Sequence, residues 1–213
     1  MDKKRMVSSA ELHAAREMRA IRRLSLVASV ATGLLLLVGA TVSATGAGLA
    51  CPDWPLCHGR VIPPPERLVL IEYSHRLLAS LVGILTLSLA ALTWRARGAG
   101  GLGRLIVALL VLLAGQVALG GATVLPRLVP VIIGTHLVTA MTFLALLVLF
   151  TCRARWPVGL RLDLQGPPGL ASTAHLALAL AFLQVALGGY TSAFGAGLAC
   201  PDFPLCLGRL FPI

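Results

Sequence analysis

Two histidines stand in stretches that otherwise read as lipid-soluble. His75 falls within the apolar run Leu68 to Leu92, and His136 within the run Val131 to Thr151. Ionisable side chains are costly inside such runs and by default mark function. Read as helices rising 1.5 Å per residue, the runs place His75 about 10 Å and His136 about 9 Å below their proline-flanked starts, so the two imidazoles share a level. Both runs lead away from the same face. Set across a bundle interior, the two rings can address one metal; imidazole suits iron, and an opposed pair in an apolar bundle is an axial pair for haem. No third or fourth ligand stands at that level to favour zinc or copper. For each histidine alone, the competing reading is a packing residue hydrogen-bonded to a neighbouring helix.

Glu72 precedes His75 by three residues, which helical geometry turns into a shared face. Arg76, four residues after Glu72, can hold that carboxylate as an ion pair. Alternatively the carboxylate sits at a haem edge, relaying protons or stabilising a developing cation. The sequence leaves both open. Two further pairs, Cys51 with Cys57 and Cys200 with Cys206, each enclose five residues. In the first, Pro52 and Pro55 can turn the chain so that the thiols meet. A structural disulfide, a redox-active pair and a metal site are all readings of such loops; the last is the weakest, because neither loop supplies four ligands. Cys57-His58 resembles the end of a CxxCH haem-attachment motif, but the preceding cysteine is too distant for covalent attachment. Cys152 reads as an inert apolar residue, His58 as an exposed loop residue, and His175 as a structural residue in the other leaflet. His13 belongs to a charged N-terminal segment with the character of an amphipathic surface helix.

The elements that position these residues follow from composition. The 213 residues are 57% hydrophobic and 12% charged, too apolar for a soluble domain. Five stretches are long enough to cross a hydrocarbon core of about 30 Å as helices: Leu24 to Ala44, Leu68 to Leu92, Leu105 to Leu125, Val131 to Thr151 and Leu170 to Ser192. The net charge of +10 is a topology signal. Thirteen of the 18 Lys and Arg fall on the N-terminal side of the membrane, among them Arg16, Arg19, Arg22, Arg23, Arg95, Arg97, Arg104, Arg153, Arg155 and Arg161. Arg60, Arg67, Arg76, Arg127 and Arg209 remain for the other face. The positive-inside rule makes the N-terminus cytoplasmic and the Cys loops extracytoplasmic, in a multi-pass protein of a bacterial or archaeal plasma membrane. In that compartment disulfides persist. Nucleic acid is excluded as a partner, since no recognition motif or aromatic interleaving accompanies the charge.

Internal repetition sets the organisation. Residues 46–63, GAGLACPDWPLCHGRVIP, match residues 195–212, GAGLACPDFPLCLGRLFP, at 14 of 18 positions with an offset of 149. QVALGGATV at 116–124 is echoed by QVALGGYTS at 184–192, and Gly39-Ala40-Thr41-Val42 by Gly121-Ala122-Thr123-Val124. The basic start followed by an apolar run could pass for a cleavable signal, but the loop after span one recurs after span five, so the first span is expected to be retained. The expected fold is an all-α integral membrane protein, a four-helix transmembrane bundle plus a fifth transmembrane helix that opens a second, incomplete pseudo-repeat. Its segments are a basic cytoplasmic region at 1–23, a four-helix unit at 24–152, a cytoplasmic loop at 153–169, and the fifth helix with its Cys loop at 170–213.

GAGLACPDWPLCHGRVIPP, IEYSHRLLASLVG and QVALGGATVLPRLVPVIIGTHLVTA together resemble the first half of the heme A synthase family, over roughly residues 24–213. The resemblance implies eight transmembrane helices in two pseudo-symmetric halves, and oxidation of the C8 methyl of heme O to the formyl group of heme A for cytochrome oxidase biogenesis. It implies that His75 and His136 surround the substrate haem, that Glu72 is the glutamate needed for catalysis, and that Cys51 and Cys57 are an extracytoplasmic pair. The family's second histidine pair, which ligates a b-type haem cofactor, has no counterpart here. The chain therefore reads as a fragment, a split-gene product or a short member completed by oligomerising, with heme O synthase, a second half-protein or another copy as expected protein partners beside haem and the bilayer. Two other functions compete: a non-catalytic haem-binding or handover subunit in oxidase assembly, and a thiol-redox membrane protein built on the Cys loops.

Overall fold

A computed structural model describes residues 9–96, 101–124, 129–156, 169–202 and 205–209. Arg97, Arg127, Arg161, the first eight residues and most of the expected 153–169 loop lie outside the described residues.

Each expected span is a helix: α1 (Ser9–Thr45), α2 (Arg67–Arg95), α3 (Leu102–Val124), α4 (Pro130–Arg155) and α5 (Leu170–Ala193). All five are long and apolar enough to cross a membrane, which makes this a multi-pass membrane protein. Pro130 opens α4 at a position where its missing N–H costs nothing. Arg95 ends α2, and Arg153 and Arg155 end α4, where cations meet the negative end of the helix dipole. Inside the spans, hydroxyls that lipid cannot satisfy bond back to their own helix. Thr32 donates to the Ala28 carbonyl, Thr86 to Val82, Thr93 to Leu89 and Thr151 to Leu147.

The N-terminal segment differs from expectation. Instead of a separate helix along the membrane surface, the charged residues from Ser9 onward continue directly into the first span as one helix of 37 residues, about 55 Å long. No proline or glycine lies between Ser9 and Ala31 to break it, and Ile21 is fully buried in the bundle.

Helices α1 to α4 form a four-cornered bundle in which α1 packs on α2 and α4, and α3 on α2 and α4. Helices α2 and α4 therefore occupy diagonal corners. The α2–α3 seam is the thinnest, and among the described residues α5 packs chiefly along α4. The dense core lies at the arginine-rich end, where Ile21, Ala28, Leu89, Ile106, Leu109, Leu147 and Phe150 interlock. The Cys-loop end is packed more sparsely around small residues, and the histidines lie there.

The two Cys loops share one structure as well as one sequence. Gly46 and Gly195 leave α1 and α5 in the left-handed conformation (φ 69° and 66°), which a side chain would resist. A short 3-10 turn follows each, Ala47–Leu49 and Ala196–Leu198. Cys57 then bridges to Arg60, and Cys206 to Arg209, through paired backbone hydrogen bonds. Asp53 accepts from the backbone N–H groups of His58 and Gly59 at 2.6 and 2.7 Å; Asp202 accepts from those of Leu207 and Gly208 at 2.7 Å each. Within both loops the cysteines are joined, with S–S distances of 1.98 and 2.01 Å.

Candidate functional site

His75 sits eight residues into α2 and His136 six residues into α4, or about 12 and 9 Å from the helix starts. Neither faces open lipid. Each ring leans on the helix before it, at a position where that helix carries glycine. A Cβ built on Gly39 of α1 would stand 3.0 Å from the Cε1 of His75, and one on Gly120 of α3 would stand 3.7 Å from the Cε1 of His136. Gly39 is what leaves room for the His75 ring, whereas a methyl on Gly120 would make only ordinary contact with His136.

Both Nδ1 atoms are buried without a hydrogen-bond partner. Buried polar atoms are nearly always paired, so two orphans on the diagonal helices of one bundle need an explanation. Gln116 of α3 closes the floor on the α4 side, donating to the His136 carbonyl at 3.2 Å and to the Thr139 hydroxyl. Spacing alone does not single out this polar residue inside a span; its repetition as Gln184 in QVALGG is the signal the sequence holds for it.

Above the histidines lies the first Cys loop, and Glu72 with Arg76 fastens it to α2. One oxygen of Glu72 accepts the Cys51 N–H at 2.7 Å, and the other pairs with the Arg76 guanidinium. Arg76 also donates to the carbonyls of Cys51 (3.0 Å), Asp53 (2.6 Å) and Leu56. Of the two sequence readings of Glu72, the ion pair is thus realised, and both oxygens are engaged. Tyr73 adds a bond from its hydroxyl to the Val61 carbonyl. Clamped in this way, Cys51 and Cys57 are fully buried against Val69 and Tyr73. The loop also lays Trp54 across to α3, where a Cβ built on Gly121 would stand 3.5 Å from the indole.

Trp54 roofs a groove of about 600 Å³ along the thin α2–α3 seam, lined almost entirely by apolar atoms of Leu87, Leu110, Ala114, Val117 and Ala118. Neither histidine ring lines this groove.

The remaining candidates lie apart. His58 is an exposed loop residue whose Nε2 meets the Ala50 carbonyl at 2.9 Å. His175 is exposed near the start of α5, and Cys152 is a free, half-buried thiol near the end of α4. The second Cys loop keeps its internal bonds, but Cys200 is exposed and no clamp like Glu72–Arg76 touches it among the described residues. Helix α5 is joined to α4 through Tyr190, which packs on Gly134 and whose hydroxyl lies 3.0 Å from that of Thr135. Outside the spans, Asp53 titrates below the ordinary carboxylate range, chiefly because the Gly59 N–H holds its charged form; Asp202 does the same through Gly208.

Architecture and site together define a class: a multi-pass helical membrane protein with an interior histidine pair beneath a disulfide-bonded cap. The chain belongs to the cytochrome oxidase assembly protein family (COX15-CtaA), whose profile matches residues 22–68 and 66–213. It is 33% identical over 199 residues to the heme A synthase of Shewanella oneidensis, covering 84% of this chain and 59% of that protein. Against the heme A synthase of Alkalihalophilus pseudofirmus it is 34% identical over 197 residues, covering 88% and 65%. With that of Symbiobacterium thermophilum the identity is 31% over 205 residues, covering 92% and 66%. The chain thus spans about three fifths to two thirds of the length of the relatives it matches.

Proposed function

We propose that this chain provides the substrate-holding unit of a heme A synthase, with His75 and His136 addressing the iron of heme O while its C8 methyl is oxidised to the formyl group of heme A. The observation that carries this reading is the pair of buried, unpartnered Nδ1 atoms on diagonal helices, each ring seated on a glycine. A bis-imidazole arrangement suits iron in an apolar bundle. The haem would supply the redox-active iron and the methyl group that is oxidised; the protein's part is to bind, orient and exclude water. The apolar lining of the α2–α3 groove supports a route by which a lipid-soluble substrate reaches the histidines from the bilayer.

Glu72 carries the catalytic role that the family resemblance gives it. Its two bonds to the Cys51 amide and Arg76 support action through the position of the loop. Cys51–Cys57 and Cys200–Cys206 are structural staples in this reading, with the loops extracytoplasmic and the arginine-rich end cytoplasmic. The four-helix unit at 24–152 forms the first repeat, and α5 with its loop opens a second, whose remainder would come from further sequence, a separate half-protein or another copy. The b-type haem expected of the family finds no ligand pair among the residues described here.

A second reading keeps the histidine pair but assigns haem binding and handover without oxidation. One experiment separates the two. Purified protein is loaded with heme O under oxygen with a chemical reductant, and the extracted haem is analysed by mass spectrometry. The formyl product is expected for the synthase; bound but unaltered heme O marks the handover subunit. His75→Ala and His136→Ala should each abolish a low-spin haem spectrum, and an unchanged spectrum in both would overturn either reading. Loss of function in Cys51→Ser with His75→Ala tolerated would instead favour thiol-redox chemistry.

A further inference from the structure

At the opposite end of the bundle, where α1 crosses the end of α4, four arginines and a tryptophan surround a hollow of about 420 Å³: Arg19, Arg22, Arg23, Arg155 and Trp156. The sequence puts Arg19, Arg22 and Arg23 on one face of α1, at the i, i+3, i+4 spacing that stacks side chains on adjacent turns. Tertiary packing adds Arg155 and Trp156 from the last turn of α4. The junction is fixed by the Arg22 Nε, which donates to the Ala154 carbonyl at 2.8 Å, and by Ile21 and Ala154, both buried.

Four like charges around one hollow repel each other, and no ion pair among the described residues engages any of them. Among the described residues the only ion pair in the protein is Glu72–Arg76, at the far end. Two features fix the depth of the hollow. The uninterrupted apolar run of α1 begins at Leu24, directly after Arg23. Trp156, half exposed, ends α4 where an indole sits best, at the boundary between acyl chain and headgroup. The hollow therefore opens at headgroup level. Guanidinium groups converging there match phosphate oxygens in pairs of parallel bonds, which an ammonium cannot do.

We propose that this hollow is a binding site for the phosphate of an anionic phospholipid, held by Arg19, Arg23 and Arg155, with Trp156 against the glycerol and upper acyl region. Arg22 belongs to the scaffold, because its Nε is committed to α4. Basic hollows between transmembrane helices are a recurrent way of holding anionic headgroups. The inference is independent of the haem reading, since Arg155 lies 19 residues, about 28 Å, along α4 from His136.

The test is native mass spectrometry of the purified full chain, titrated in detergent with phosphatidylglycerol, with phosphatidylcholine and with inorganic phosphate. The expected result is one retained phosphatidylglycerol per chain in preference to phosphatidylcholine. In the triple variant Arg19→Gln, Arg23→Gln, Arg155→Gln that affinity should fall roughly a hundredfold, at about fivefold per arginine near the surface. A control with the same charge change, Arg95→Gln, Arg104→Gln, Arg153→Gln, alters exposed arginines outside the hollow and should keep the retained lipid. Helix content by circular dichroism confirms that both variants fold. Equal losses in the two variants would mean only a diffuse positive surface and would overturn the proposal. So would saturable binding of inorganic phosphate with no preference for phosphatidylglycerol, which would mark a site for a free anion.

Discussion

Replacing Arg76 with Met should uncouple the first Cys loop from the membrane bundle while leaving its disulfide intact. Arg76 gathers three loop carbonyls and the Glu72 carboxylate, and Glu72 in turn holds the Cys51 amide. Hydrogen bonds to charged groups contribute about 1.5–3 kcal/mol each, and removing one member of a buried ion pair costs about 3–5 kcal/mol because the other charge is left unpaired. The Glu72 and Arg76 side chains are 5% and 15% exposed, so modest screening places the cost of undocking near the lower end, at about 3 kcal/mol. At 1.36 kcal/mol per tenfold, the docked loop should open only about once in a hundred or more. The readout is the rate at which tris(carboxyethyl)phosphine reduces each disulfide in oxidised membranes, followed by alkylation and mass analysis. The molecule carries its own control: Cys200–Cys206 lies in a loop of the same fold, yet Cys200 is exposed where Cys51 and Cys57 are fully buried. In the unaltered protein the first disulfide should be reduced roughly a hundredfold more slowly than the second; in Arg76→Met the two rates should converge. Equal rates in the unaltered protein, or an undiminished difference in the variant, would refute the clamp.

Gly39→Ala brings a methyl to 3.0 Å from His75 Cε1 and should displace the ring, lowering haem retention measured by the pyridine haemochrome spectrum; Gly120→Ala, whose methyl would sit at an ordinary contact distance of 3.7 Å from His136 Cε1, should be nearly silent. Asp53 has a depressed pKa, chiefly from the Gly59 N–H, so its support of the loop is fully present above the ordinary carboxylate pKa of about 3.9 and is lost as pH falls through its lower folded value. Hydrogen exchange at Gly59, after allowance for intrinsic rates, should accordingly be unchanged from pH 7 to 5 and accelerate only below about 3.9, and a loss of protection already at pH 5 would contradict the assignment. Gly134→Val should drive α5 off α4, because even a Cβ there meets the Tyr190 ring at 2.5 Å, whereas Tyr190→Phe should cost only about 0.6 kcal/mol, as interhelical hydrogen bonds in membranes do. Steric-trapping measurements in bicelles would resolve the two.

The five spans were legible in the sequence because lipid imposes a simple rule: about twenty apolar residues, self-satisfied as a helix. The repeated loop was legible for a related reason. Its turns depend on residues acting over a few positions, such as Gly46, Asp53 and Gly59, and identical short-range requirements produced the same shape twice. The expectation that His75 and His136 share a depth also came from counting along helices of fixed rise.

Spacing could not say what lies across from a residue. That Glu72 and Arg76 serve the Cys loop, that Trp54 reaches Gly121, and that each histidine rests on a glycine of another helix are facts of packing between segments distant in sequence. The same holds for the arginine hollow, where Arg155 arrives more than 130 residues after the α1 arginines that it faces. Local chemistry and the bilayer determine which segments become helices and how deep each residue sits. Which faces meet is decided by the joint fit of all the helices, because the apolar surfaces are alike enough that only small residues and a few polar bonds distinguish one pairing from another.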